Sequence, residues 1–142
     1  MAGNAKLQTQ NETEIVTVRP NAQILTRQSL PNFVGISGAT AGAQGLCMNI
    51  VIIPPGASAE PHYHDGFETA IYVLKGEVET RYGRGLRQKC VNRAGDFIFI
   101  PPDVPHQPRN LSATEPAMAV VARNTPDEQE SVVLYDPEKD AD

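Results

Sequence analysis

Hydrophobic and polar residues follow one another along this chain in short runs punctuated by glycine and proline, and no stretch holds a helical period. Residues 61–64, 69–74, 77–82, 86–91, 97–100, 107–111 and 116–122 each read as a strand. The turns between them are built from Gly76, from Gly83 to Gly85, from Arg93 to Gly95, and from Pro101 to Pro105. Upstream, residues 14–18 predict a short strand stopped by Arg19 and Pro20, and 33–36 predict another. Residues 40–45 form a small-residue loop without helical period. The run 46–53 is apolar at nearly every position, which predicts a strand buried on both faces and ended by Pro54, Pro55 and Gly56. Residues 131–135 predict an edge strand, and 136–142 a charged, frayed tail. Short strands at near-even spacing make this an all-β chain, an antiparallel barrel or sandwich.

Length adds that 142 residues form one domain with a real core. Its expected parts are an arm over 1–28, in which strand 14–18 is a candidate dimer contact, a barrel over 29–125, and an edge strand with charged tail over 126–142. The net charge of -5 argues against a nucleic-acid partner, which calls for clustered Lys and Arg on one face. The densest positive group, Arg81, Arg84, Arg87, Lys89 and Arg93, is interleaved with Glu77 and Glu79 and reads as a solvated hairpin face. Cys47 and Cys90 lack metal or redox spacing and are expected as two buried thiols. The first residues lack a signal-peptide core, and no apolar run reaches membrane-spanning length, so the expected compartment is the cytoplasm with no membrane partner.

The candidate chemistry rests on the three histidines, which are all the chain has. His62 and His64, two apart in a strand, share one face. The Asp65-Gly66 turn can fold the chain back to bring the carboxylate of Glu68 to them, and His106 follows a corner stiffened by Pro101, Pro102 and Pro105. Imidazoles with one carboxylate suit one divalent first-row metal per chain, Fe, Mn, Ni, Cu or Zn. Gly56, Gly76 and Gly95 mark turns where positive φ or close backbone approach is needed. The competing explanation, three hydrogen-bonded core histidines, is weakened because no histidine lies outside these two motifs.

Those motifs resemble the cupin family. Gly56, His62, His64 and Gly76 fit its first motif, and Gly95, Pro101, His106 and Asn110 its second, with Asp103 where the family has a middle glycine. The resemblance implies a double-stranded β-helix, or jelly-roll barrel, and a six-coordinate metal held by His62, His64, Glu68 and His106 with two adjacent open positions. One departure bears on Glu68: seven residues rather than six separate it from Gly76, so the usual ligand slot falls on Thr69. Strict alternation turns Glu68 outward, and a β-bulge would restore it. Without the bulge the site is three histidines and water.

The family includes dioxygenases, sugar isomerases and epimerases, decarboxylases, and storage or sensing proteins, and fold alone does not choose among them. The expected function is a metal-dependent enzyme acting on a small oxygenated metabolite by oxygenation or isomerisation. The alternative is a non-catalytic module that binds a small ligand or metal. A metal-free epimerase is disfavoured because no histidine is spare to act as base. A phosphosugar enzyme needs cations in its pocket, and Arg81 and Arg109 are the candidates. A homodimer is expected, chiefly from the family likeness.

Overall fold

Each apolar run is too short to bury its own surface, so the chain pairs them edge to edge. The computed structural model describes residues 14–140. In chain order the strands are β1 (Ile24–Leu25), β2 (Pro31–Ile36), β3 (Cys47–Ile53), β4 (His62–His64), β5 (Thr69–Lys75) and β6 (Glu77–Tyr82). They continue with β7 (Gln88–Arg93), β8 (Phe97–Ile100), β9 (His106–Asn110), β10 (Ala117–Arg123) and β11 (Val132–Leu134). One sheet runs β1-β2-β3-β10-β5-β8 and the other β11-β4-β9-β6-β7, with antiparallel pairing throughout. This is the all-β jelly-roll architecture expected from the strand pattern.

Alternation decides what faces inward. Ile71 and Val73 of β5, Ile98 and Ile100 of β8, and Val121 of β10 line a shared interior. The outer side of the six-stranded sheet is also apolar. One cross-strand row runs Phe97, Tyr72, Val120, Ile50, Phe33, and a second runs Phe99, Ala70, Ala122, Met48, Ile36. Phe97 is 83% exposed and Phe99 61%. The β6–β7 hairpin carries the charged face, with Glu77 opposite Arg93 and Arg81 opposite Lys89.

Several local expectations are corrected. β3 is not buried on both faces: Cys47, Asn49 and Ile53 point in, whereas Met48 is exposed, as befits an antiparallel sheet with one face on the core. Residues 14–18 form no strand, because no described strand pairs with them, and Ile15 and Val16 are exposed. Ser37 caps a four-residue helix, Gly38–Ala41, through a reciprocal capping box with Thr40, inside what reads as plain loop. Gly83 and Gly85, both at positive φ, wind a 3-10 turn through Leu86 and delay β7 to Gln88. Pro137–Asp140 is a 3-10 turn tied down by Tyr135 Oη donating to Asp140 and Arg87 donating to the Asp140 carbonyl, so this part of the tail is not frayed. Cys47 is buried as expected, but Cys90 is exposed.

Two residues fix the β5–β6 turn and the end of β9. Gly76 has φ +94, and a Cβ there would sit 2.9 Å from the Ala117 Cβ, so only glycine fits. Asn110 is buried, and its Nδ2 donates to the carbonyls of Ile53 (3.0 Å) and Glu115 (2.7 Å) while its Oδ1 accepts from Ser112 N (2.9 Å). Asn110→Ala leaves two carbonyls and one amide without partners. We expect it to lower unfolding free energy by about 2–3 kcal/mol, read from urea midpoints. A loss under about 0.5 kcal/mol would show that water replaces the side chain freely.

Candidate metal centre

His62 and His64 lie on one face of β4 because they are two apart, and His106 of β9 is the direct cross-strand partner of His62. That register sets the three rings together, with centroid separations of 4.3 Å (His62–His106), 5.0 Å (His62–His64) and 5.3 Å (His64–His106). One ring nitrogen from each lies within 4.8 Å of the other two, and all three side chains are buried.

Main-chain carbonyls fix the rings. His62 Nδ1 donates to Glu60 O (2.7 Å), His64 Nδ1 to Glu130 O (2.6 Å) and His106 Nδ1 to Val104 O (2.9 Å). A carbonyl can only accept, so each Nδ1 carries the proton and each Nε2 keeps its lone pair. The Nε2 of His64 is fully buried with no hydrogen-bond partner. An unpartnered buried acceptor is costly, and a cation at the centre of the triad would remove the cost. Burial is the largest cause holding all three imidazoles neutral. It lowers His62 from 6.5 to about 3, aided by the neighbouring charge of His106, and His106 to about 4. His64 is lowered further, by burial first and then by the charge of Arg123. Neutral imidazoles with converging lone pairs fit a divalent transition metal.

Glu68 is not brought to this group. It is exposed, and its backbone N–H donates to Asn124 Oδ1 (2.8 Å). Thr69 takes the inward position, where its hydroxyl accepts from Arg123 Nε (2.8 Å). The pairing of Thr69 with Ile100 and with Arg123 is in step with the rest of β5, and no bulge interrupts this end of the strand. Asp103, in the place of a glycine, adopts φ +65 and accepts from Gly66 N (2.8 Å), while its own N–H donates to His64 O (3.2 Å). It therefore clamps the turn after β4 to the proline corner before β9.

Three polar residues near the triad are absent from the sequence-level candidates. Arg123 and Glu130 form a buried ion pair, and Glu130 also supplies the carbonyl that holds His64. Gln28 is buried, and its Oε1 has no hydrogen-bond partner. Gln28, Arg123 and Glu130 line one cavity of about 80 Å³ together with His62 and His106. Its other walls are chiefly aliphatic. A second cavity of about 300 Å³, bordered by Tyr82, Cys90, Phe99 and Val104, shares His106, Thr80, Ile98 and Ile100 with the first. His106 thus lines both cavities. Arg81 and Arg109 lie outside both, half exposed and paired with Glu79.

Comparison with known proteins bears on the family and the fold. The chain is 29% identical over 90 residues to a 3-hydroxyanthranilate 3,4-dioxygenase of Xanthomonas euvesicatoria pv. vesicatoria (strain 85-10), covering 63% of this chain and 50% of that one. It is 31% identical over 80 residues to Protein SchB of Streptomyces halstedii, covering 56% of each. The chain therefore spans about half the length of these curated relatives. The polyketide cyclase RemF from Streptomyces resistomycificus superposes with a TM-score of 0.67 at 20% identity, over 78% of this chain and 80% of that one, which speaks for the fold. The cupin-domain family profile matches residues 49–123, more than half of the sequence and both histidine motifs, and the chain belongs to the cupin family.

Proposed function

We propose that His62, His64 and His106 hold one divalent transition metal per chain through their Nε2 atoms, with water or ligand completing its coordination. The observation that carries this reading is the set of three Nδ1-to-carbonyl hydrogen bonds, together with the orphaned Nε2 of His64. Glu68, the fourth donor expected from the family motif, is left out because it is exposed and Thr69 fills its slot. The metal would act as a Lewis acid that polarises a coordinated oxygen and acidifies bound water. The chain's own contribution is to keep three imidazoles neutral, to exclude bulk water with the aliphatic wall, and to place His106 on both neighbouring cavities.

The best-supported function is a metal-dependent enzyme that oxygenates or isomerises a small oxygenated metabolite. The likeness to a dioxygenase supports oxygenation. A phosphorylated sugar fits less well, because Arg81 and Arg109 turn outward onto Glu79. No helix among the described residues is long and apolar enough to cross a membrane.

The assembly we propose is a homodimer formed through the outer face of the six-stranded sheet rather than through residues 14–18. Six strands ~4.8 Å apart and up to seven residues long offer a planar face of roughly 500 Å², approaching the ~800 Å² per partner of a stable interface. Its two cross-strand rows carry no charge, which suits a two-fold contact of the face with itself.

Three outcomes follow. Elemental analysis of protein purified without chelator or affinity-column metal should find about one transition metal per chain, falling below about 0.2 in His62→Ala and His106→Ala and unchanged in Glu68→Gln. Loss of metal in Glu68→Gln would return that carboxylate to the coordination sphere. Below pH 6.5 the unfolded chain gains protons that folded His62 and His106 refuse until about 3 and about 4. Metal-free protein should therefore lose stability as pH falls through this window, by on the order of 1 kcal/mol per imidazole per pH unit, visible in denaturant melts. A flat profile between pH 6.5 and 4.5 would contradict neutral burial. Finally, Phe97→Glu with Phe99→Glu should convert a dimer to a folded monomer in sedimentation velocity; a dimer that survives both changes places the interface elsewhere.

A further inference from the structure

Of the three imidazoles, His64 has the most distant support. His62 and His106 donate to carbonyls two residues back in their own segments, whereas His64 donates to Glu130 O, 66 positions away. Its Nε2 is fully buried without a partner. The aim of this ring therefore depends on the turn 127–131, which lies between β10 and β11 and belongs to neither sheet.

No strand ladder holds that turn. Two consecutive residues with side chains, Glu130 and Ser131, sit at positive φ, which costs energy wherever it occurs. Docking also leaves Gln129 Oε1 buried without a partner, and likewise the Oδ1 of Asn49, the β3 residue whose Nδ2 reaches Glu128 O (3.5 Å). The Arg123–Glu130 pair is taken out of water as well. Against these costs stand a few backbone contacts, Asp65 N donating to Ser131 O (3.1 Å) and Gly38 N to Pro126 O (2.8 Å). Inside the turn, the exposed Asp127 carboxylate brackets Glu130: Oδ1 accepts from Gln129 N (2.9 Å) and Oδ2 from Ser131 N (3.3 Å).

We propose that Asp127 is a positioning residue for the metal centre: its carboxylate folds the turn that presents the Glu130 carbonyl to His64, and docking of this turn and metal binding favour one another. This rests on the three-histidine metal reading. The Glu130 carbonyl raises the basicity of Nε2, and a cation on Nε2 makes Nδ1–H the stronger donor to that carbonyl. The coupling is reciprocal, so whatever loosens the turn weakens the metal by the same factor.

NMR of isotope-labelled protein, metal-free and zinc-loaded, tests it on the natural sequence, Asp127→Asn and Asp127→Ala. Zinc affinity, from competition with a chromophoric chelator, and urea midpoints are measured on the same samples. Zinc should slow hydrogen exchange at the Glu130 and Ser131 amides about tenfold or more, while the Thr114 and Glu115 amides, in a turn held by the Ser112 hydroxyl, stay within about twofold. Asp127→Ala should weaken zinc about tenfold, and Asp127→Asn, which keeps one acceptor, by less. In Asp127→Ala the Nδ1–H signal of His64 should broaden or vanish while those of His62 and His106 persist, because their carbonyls lie outside the turn. Unchanged zinc affinity in Asp127→Ala, with urea midpoints lowered equally with and without zinc, would make the carboxylate a plain turn cap and overturn the proposal. Loss of all three Nδ1–H signals together would overturn it too, as general loosening. Zinc that fails to bind the natural sequence overturns the metal reading and this one with it, whereas bound zinc that leaves exchange in the turn unchanged overturns this one alone.

Discussion

Three hydrogen bonds, each from an imidazole Nδ1 to a main-chain carbonyl, govern what the centre of this barrel can do. They settle which nitrogen of each ring is free, and so whether the triad donates lone pairs inward or protons. Two of the bonds are local: His62 reaches Glu60 and His106 reaches Val104, each two residues back at the start of its strand. The third is remote, since His64 reaches Glu130 across 66 positions of sequence. Two rings are therefore oriented by the way β4 and β9 begin. The other is oriented only once the loop after β10 has docked.

That loop is built with care. Glu130 and Ser131 sit at φ 64 and 50, unusual for residues with side chains, and are held by Glu130 N donating to Asp127 O and by the Asp127 carboxylate accepting from Gln129 N and Ser131 N. The strained backbone delivers two things at one place, a carbonyl for His64 and a carboxylate for Arg123. Orientation of a ring and charge balance of the cavity are thus tied to the same few residues.

How much of this was legible in the sequence depends on whether a residue sits in a periodic element. The pairing of His62 with His64, the inward turn at His106 and the strand ladder all follow from a two-residue repeat and proline-fixed corners. The outward aim of Glu68 was legible too, by counting back from Gly76 in strict alternation, since β5 shows no irregularity at that end. Arg123 shares its phase with Ala119 and Val121 and was within reach of the same count. Gln28 and Glu130 were not, because both sit in loops whose course is set by hydrogen bonding and positive φ rather than by a repeat. Residues 14–18 show the opposite failure: strand-forming composition makes no strand where no partner edge is presented.

The two sheets divide the work, and β3 shows how. Its run of apolar residues is the pattern of a strand buried on both faces, yet the isolated chain covers only one. The same holds for the outward residues of β5, β8 and β10, which continue its apolar rows to Phe97 and Phe99. A single chain gains nothing by exposing two phenylalanines on an edge strand, whereas the proposed second copy on that face would remove them from water. The histidines all lie on the other sheet, on β4 and β9. Phe99 belongs to both surfaces, since it continues the second apolar row and also borders the cavity beside His106, so a partner laid on the six-stranded sheet would sit against one wall of that cavity.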